Sequence, residues 1–118
     1  MGYAPLTAPD GSLYRAMREA VPIIDAALDK IVRLTVGFSV ECDDPAIAGE
    51  LEKFVRQVQV GPCSMGLHQF AGVYLDSLLT YGNAVGEMVL TPDGREIAAL
   101  YNARLEDIQV RRGKTPLE

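Results

Sequence analysis

Residues 78–101, LLTYGNAVGEMVLTPDGREIAALY, change their period partway along. Up to Tyr81 the apolar residues fall at helical spacing. Beyond Gly82 they form two short runs on either side of Thr91-Pro92-Asp93-Gly94. Helical side chains recur every 3.6 residues and strand side chains every 2, so one element cannot serve both patterns. A helix is therefore expected to stop at Gly82, where glycine can take the left-handed cap conformation at little cost. Two strands, over 84–90 and 96–101, are expected to follow. Pro92 at the second position and Gly94 at the fourth suit a tight turn between them. This stretch commits the fold to helices packed with a sheet, an α+β domain.

The upstream residues fill in the helical part. Residues 1–11 hold two prolines and two glycines and read as a flexible arm. Ser12 suits an N-cap, although Arg15 stands where a capping box would have Glu. Leu13, Met17, Val21, Ile24, Leu28 and Ile31 then line one face of a long helix, with Arg15, Arg18, Asp25 and Lys30 off that face. Pro22 interrupts it and predicts a kink, or two helices meeting at residues 20–21. Thr35, Val36, Phe38 and Val40 are strand formers, with a bulge at Gly37.

Asp44 and Pro45 form a helix start, cap and first position. That helix is expected to run to about Val58 and to bury Ile47, Leu51, Phe54, Val55 and Val58. The stretch VGPCSMG breaks the chain, and a third helix is expected from Ser64 or Met65 through Tyr81. Its apolar face is Leu67, Phe70, Ala71, Tyr74, Leu78 and Leu79. A last strand is expected over 107–112. The order is a long helix kinked near Pro22, a strand, two further helices and a small antiparallel meander. Residues 12–112 read as one domain. Residues 113–118 read as a solvated tail, its closing Leu117-Glu118 the kind of pair a cloning site leaves.

At 118 residues, 48% of them hydrophobic and 23% charged, the composition is that of a globular chain. The net charge of -5 argues against a dedicated nucleic-acid binder, which would need Lys and Arg to neutralise phosphates. It does not exclude a surface past which DNA slides. Cys42 and Cys63 are too few for a disulfide framework and read as inert intracellular thiols. No apolar run reaches the ~20 residues of a membrane span, and no signal peptide is expected from the N-terminal residues.

Four features of the sequence bear on chemistry. Gly113, Lys114 and Thr115 match the end of a phosphate-binding loop, but the motif needs glycine at 108, where Ile108 stands, and a following helix. Gly82 and Gly86 occur in the order helix, glycine, strand, the reverse of a dinucleotide loop, and read as a cap and a tight spot on a strand. His68 is the sole histidine; Cys63 and Asp76 are its nearest potential partners along the chain. Glu41, Asp43 and Asp44 gather at a helix start, where the dipole favours acids. No catalytic, cofactor or metal site is assigned.

Two longer phrases go further. SLYRAMREAVPIIDAALDKIVRLTVGFSVE, followed downstream by LLTYGNAVGEMVLTPDGREIAALYNARLEDIQVRR, resembles the N-terminal part of a tailed-bacteriophage portal protein. YGNA followed by a DG hairpin carries most of the likeness, which covers roughly residues 12–112. The resemblance implies a non-enzymatic structural protein, a subunit of a ring, typically of twelve, at one capsid vertex through which DNA passes. Other portal subunits, capsid protein, terminase and tail connector proteins would be its partners. Its place would be the virion, with the bacterial cytoplasm as the site of assembly, and the gene could belong to a prophage. The family's stem and clip come later in the chain, so the resemblance assigns this chain to the outward-lying wing, with little direct DNA contact and no membrane. A different class is the alternative: a small intracellular enzyme or ligand-binding α+β domain with Cys63 and His68 at a pocket. A third is an adaptor that binds protein through an exposed helix face.

Overall fold

The computed structural model describes residues 4–5, 11–110 and 113–114. Strand β1 (Ala4–Pro5) precedes α1 (Gly11–Ala20), α2 (Pro22–Thr35) and α3 (Pro45–Gln57). Next come β2 (Gln59–Gly61), β3 (Ser64–Met65), α4 (Leu67–Tyr81), β4 (Gly86–Leu90) and β5 (Ile97–Asn102). A single 3-10 turn at Leu105–Asp107 leads into β6 (Gln109–Val110). The fold is α+β, four helices with a small mixed sheet.

Pro22 splits the first helical stretch in two. The residue before a proline is pushed out of the helical region, and Val21 sits at φ -117°, ψ 93°. Only that one residue leaves the helix. Val21 N–H still donates to the Met17 carbonyl, and Pro22 takes the first position of α2, where its missing N–H costs nothing. α1 opens at Gly11, one residue ahead of the expected Ser12 cap.

The strand expected over 35–40 does not form. α2 continues to Thr35, whose hydroxyl donates to the Ile31 carbonyl. Val36 then packs towards Gly72 on α4, and the Phe38 ring lies against that of His68. Side-chain packing on a helix holds this β-branched segment, and among the described residues no neighbouring strand offers it a ladder. Asp44 caps α3 as expected, Oδ1 accepting from the Ala46 N–H at 2.9 Å.

The sheet has the order β3-β2-β5-β4 and is not the purely antiparallel meander expected from sequence. β2 and β5 pair in parallel, Gln59 opposite Ala99. The stretch VGPCSMG, expected only to break the chain, supplies β2 and β3 as an antiparallel hairpin turning at Pro62 and Cys63. β4 and β5 form the expected hairpin. In its turn Gly94, at φ 69°, donates to the Thr91 carbonyl at 2.8 Å. β6 does not join this sheet but pairs with β1 in a separate two-stranded ribbon. Of the expected arm, residues 1–3 and 6–10 lie outside the described residues, as do 111–112 of the expected last strand and 115–118 of the tail.

α4 lies at the centre, touching α1, α2, α3 and the sheet. The core beside it is thin. Among the described residues, six apolar side chains are buried: Val32, Val55, Val58, Ala99, Leu100 and Leu105. Eighteen large apolar side chains are exposed, and no side chain is fully enclosed. Burial of apolar area is the main force that closes a fold, and this imbalance leaves much of the described apolar surface exposed.

Candidate functional site

α1 is amphipathic in the reverse of the usual sense. Leu13 and Met17 face outward, whereas Arg18 is the one buried charged residue among the described residues, 6% exposed. An arginine is buried only where its donors are matched. Arg18 Nε–H donates to Asp25 Oδ1 at 2.6 Å, and Nη1 donates to Asp76 Oδ1 and to the Thr80 hydroxyl. Arg15, one turn earlier, reaches Asp76 Oδ2 at 3.2 Å and donates to the Tyr81 hydroxyl, with its guanidinium 5.4 Å from the ring centre. Both oxygens of Asp76 are thus engaged. Asp76 and Thr80 stand one turn apart on α4, which is why they meet two arginines three apart on α1.

Both guanidiniums are held charged. For Arg15 the Tyr81 hydrogen bond is the largest influence, and it outweighs desolvation to raise the pKa. For Arg18 desolvation is the largest influence and works against the charge; the hydrogen bonds to Asp25 and Asp76 overcome it. A guanidinium fixed in this way cannot exchange a proton near neutrality. The cluster binds three helices together and offers no acid or base for turnover. These arginines fall off the apolar face of the expected helix, so spacing alone gives them no role. The recoverable signal was Arg15 with Arg18 on one helix and Asp76 with Thr80 on another.

His68 and Cys63 are held separately. Cys63 sits exposed in the β2–β3 turn. His68, in the first turn of α4, donates from Nε2 to the Phe38 carbonyl at 2.7 Å, which fixes that nitrogen as the protonated one. Its ring stacks on Phe38 at 4.7 Å between centres. Asp76 is committed to the arginines. Among the described residues no group of three or more His, Cys, Asp or Glu is arranged to hold a metal.

The glycine and acidic features resolve as local structure. Gly82, at φ 73°, closes α4 with its N–H on the Leu78 carbonyl, and Gly86 lies on β4. Glu41 and Asp43 are exposed beside the Asp44 cap. Asp29 pairs with Arg33 at 2.9 Å along α2. Gly113 and Lys114 are described, but Thr115 lies outside the described residues.

One open groove of about 850 Å³ runs between α3 and the start of β5. Ile47, Leu51, Phe54 and Ile97 give it an apolar floor, with Glu50 and Arg95 among its lining residues. Among the described residues those two charges form no ion pair with each other.

No family model, curated protein or solved structure matches this chain. What remains for a functional reading is its surface. Among the described residues no helix is long and apolar enough to cross a membrane. The apolar exposure is spread over α1, α2, α4 and the β4 edge strand.

Proposed function

We propose that this chain is a structural component of a virion, similar to the wing region of a tailed-phage portal ring. The observation that carries the reading is the inverted balance of burial, with eighteen large apolar side chains exposed against six buried. A subunit whose apolar surface is completed by its neighbours has that balance. The helix, glycine cap and hairpin over residues 78–101, on which the resemblance rests, are in keeping with it. The partners would be further portal subunits, capsid protein, terminase and tail connector proteins. DNA would pass through the ring with little grip from this acidic part. The protein would reside at the capsid vertex, after assembly in the bacterial cytoplasm.

The alternative, a small enzyme or ligand-binding domain built on Cys63 and His68, draws no support from the geometry. Among the described residues Cys63 makes no hydrogen bond to His68, and Asp76, the acid that could orient the imidazole, is spent on Arg15 and Arg18.

The test is to probe fractions of a density gradient, prepared from cells carrying the gene in its own genomic setting, with antibody to the purified chain. Antigen banding with DNA-filled heads, at a small fixed number per head, supports the reading. Antigen confined to the soluble fractions while heads band normally overturns it.

A further inference from the structure

We propose that the outward stripe of α2 is a two-heptad coiled-coil seam that pairs in parallel with α2 of a second copy of this chain. Ile24, Ala27, Ile31 and Leu34 follow one another at spacings of three, four and three. That is the alternation of core positions in a coiled coil. All four are exposed: Ile24 43%, Ile31 48%, Leu34 74%, and Ala27 also on the surface. Ile23, flanking them, is 77% exposed. The adjoining side of α2 faces its own fold through buried Val32, half-buried Leu28 and Asp25, which is bonded to Arg18. α4 therefore covers one flank of the apolar arc, and the seam beside it is left exposed.

The seam's composition selects the partner. Isoleucine at the first core position with leucine at the second favours two parallel strands. Ala27 lets two helices approach closely at mid-seam. Charge then decides the direction. Lys30 borders the stripe and, among the described residues, makes no ion pair. In an antiparallel pair with Ile24 opposite Leu34, the two Lys30 side chains meet beside the two-fold axis and repel. In a parallel pair each Lys30 faces Thr35 of the other copy, and the repulsion is absent. α2 has fourteen residues, about 21 Å of helix, so the association is weak and concentration-dependent. It stands apart from the portal reading: dimerisation and banding with heads are separate measurements, and each can fail alone.

Sedimentation equilibrium of the full chain over a wide concentration range tests it. A reversible dimer is expected. Leu34→Gln, at a solvent-exposed position that leaves the circular dichroism spectrum unchanged, is expected to raise the dissociation constant at least about tenfold. Thr35→Glu places a carboxylate opposite Lys30 of the other copy and tightens association by roughly threefold or more. Lys30→Gln leaves it within about twofold of the native value. A chain monomeric at every concentration overturns the proposal, as does a dimer indifferent to Leu34→Gln. Tighter association in Lys30→Gln, or none gained in Thr35→Glu, means antiparallel pairing and also overturns it.

Discussion

Gly86 on β4 lies directly under the ring of Phe70 on α4. A Cβ at position 86 would stand 2.7 Å from Phe70 Cζ, inside any real contact distance. Asn102, opposite Gly86 across the hairpin, donates to the Phe70 carbonyl at 3.1 Å, so helix and strands are pinned at the same point. Gly86→Ala forces the ring to move and is expected to cost about 1–3 kcal/mol, the usual range for overpacking. Phe70→Leu in the same chain should recover part of that loss. Urea denaturation of the two single variants and the double variant forms a cycle; strict additivity would show that the ring is not the obstacle.

Gly82 is required for a different reason. At φ 73° it closes α4, and a Cβ there would meet nothing within 4 Å. Only backbone strain opposes a side chain. Gly82→Ala is expected to cost about 1 kcal/mol and Gly82→Asn less, since asparagine tolerates this conformation best after glycine. Equal losses for the two, measured as urea midpoints at unchanged slope, would point to lost packing instead.

The contrast between these glycines and the strands shows what was readable. The Gly82 cap, the Pro22 break, the Asp44 cap and the 91–94 turn are local, and residue type alone specifies them, whereas Gly86 answers to a ring on another element. β2 escaped notice because its partner is β5, forty residues away, and a three-residue parallel strand has no period to detect. The false strand over 35–40 arose from β-branched residues. Their preference reflects packing on a surface, and α4 supplied that surface through Gly72 and His68. The arginine cluster was hidden because it depends on which helix lies opposite α1. Residues 22–35 are the converse case: apolar spacing put Ile24, Leu28 and Ile31 on one helix face and the helix forms, but spacing could not say that Ile24 and Ile31 stay exposed while Val32 is buried.

Asp93 gives the hairpin a pH dependence. Its carboxylate accepts from the Thr91 hydroxyl and from the Arg95 N–H, and these bonds, the Thr91 one foremost, hold its pKa below the ordinary 3.8. A depressed carboxylate stabilises the fold fully above its unfolded value. That contribution is lost as pH falls below 3.8 through the folded value. The Arg95 amide resonance, followed by NMR, should therefore titrate below the unfolded carboxylate range. Thr91→Val should move that midpoint upward. An unchanged midpoint in Thr91→Val would remove the hydroxyl from the account.

The three helices should respond unequally to loss of each member of the Arg18 cluster. Asp76 holds two guanidiniums, one of them buried, so Asp76→Ala strands a buried charge that Asp25 alone must neutralise. Arg18→Met leaves Asp76 with Arg15 and leaves Asp25 facing solvent, while the methionine stem fills the buried space. Asp25→Ala leaves Arg18 still bonded to Asp76 and Thr80. Orphaning a buried charge costs more than removing it, and half-exposed partners are screened. The expected losses are about 2–4 kcal/mol for Asp76→Ala, about 1–2 for Arg18→Met and under about 1 for Asp25→Ala. Chemical denaturation at low and high salt separates them, with only the Asp25 effect shrinking markedly as salt rises. Equal losses for Asp25→Ala and Asp76→Ala would mean that the clamp closes on α2 rather than on α4.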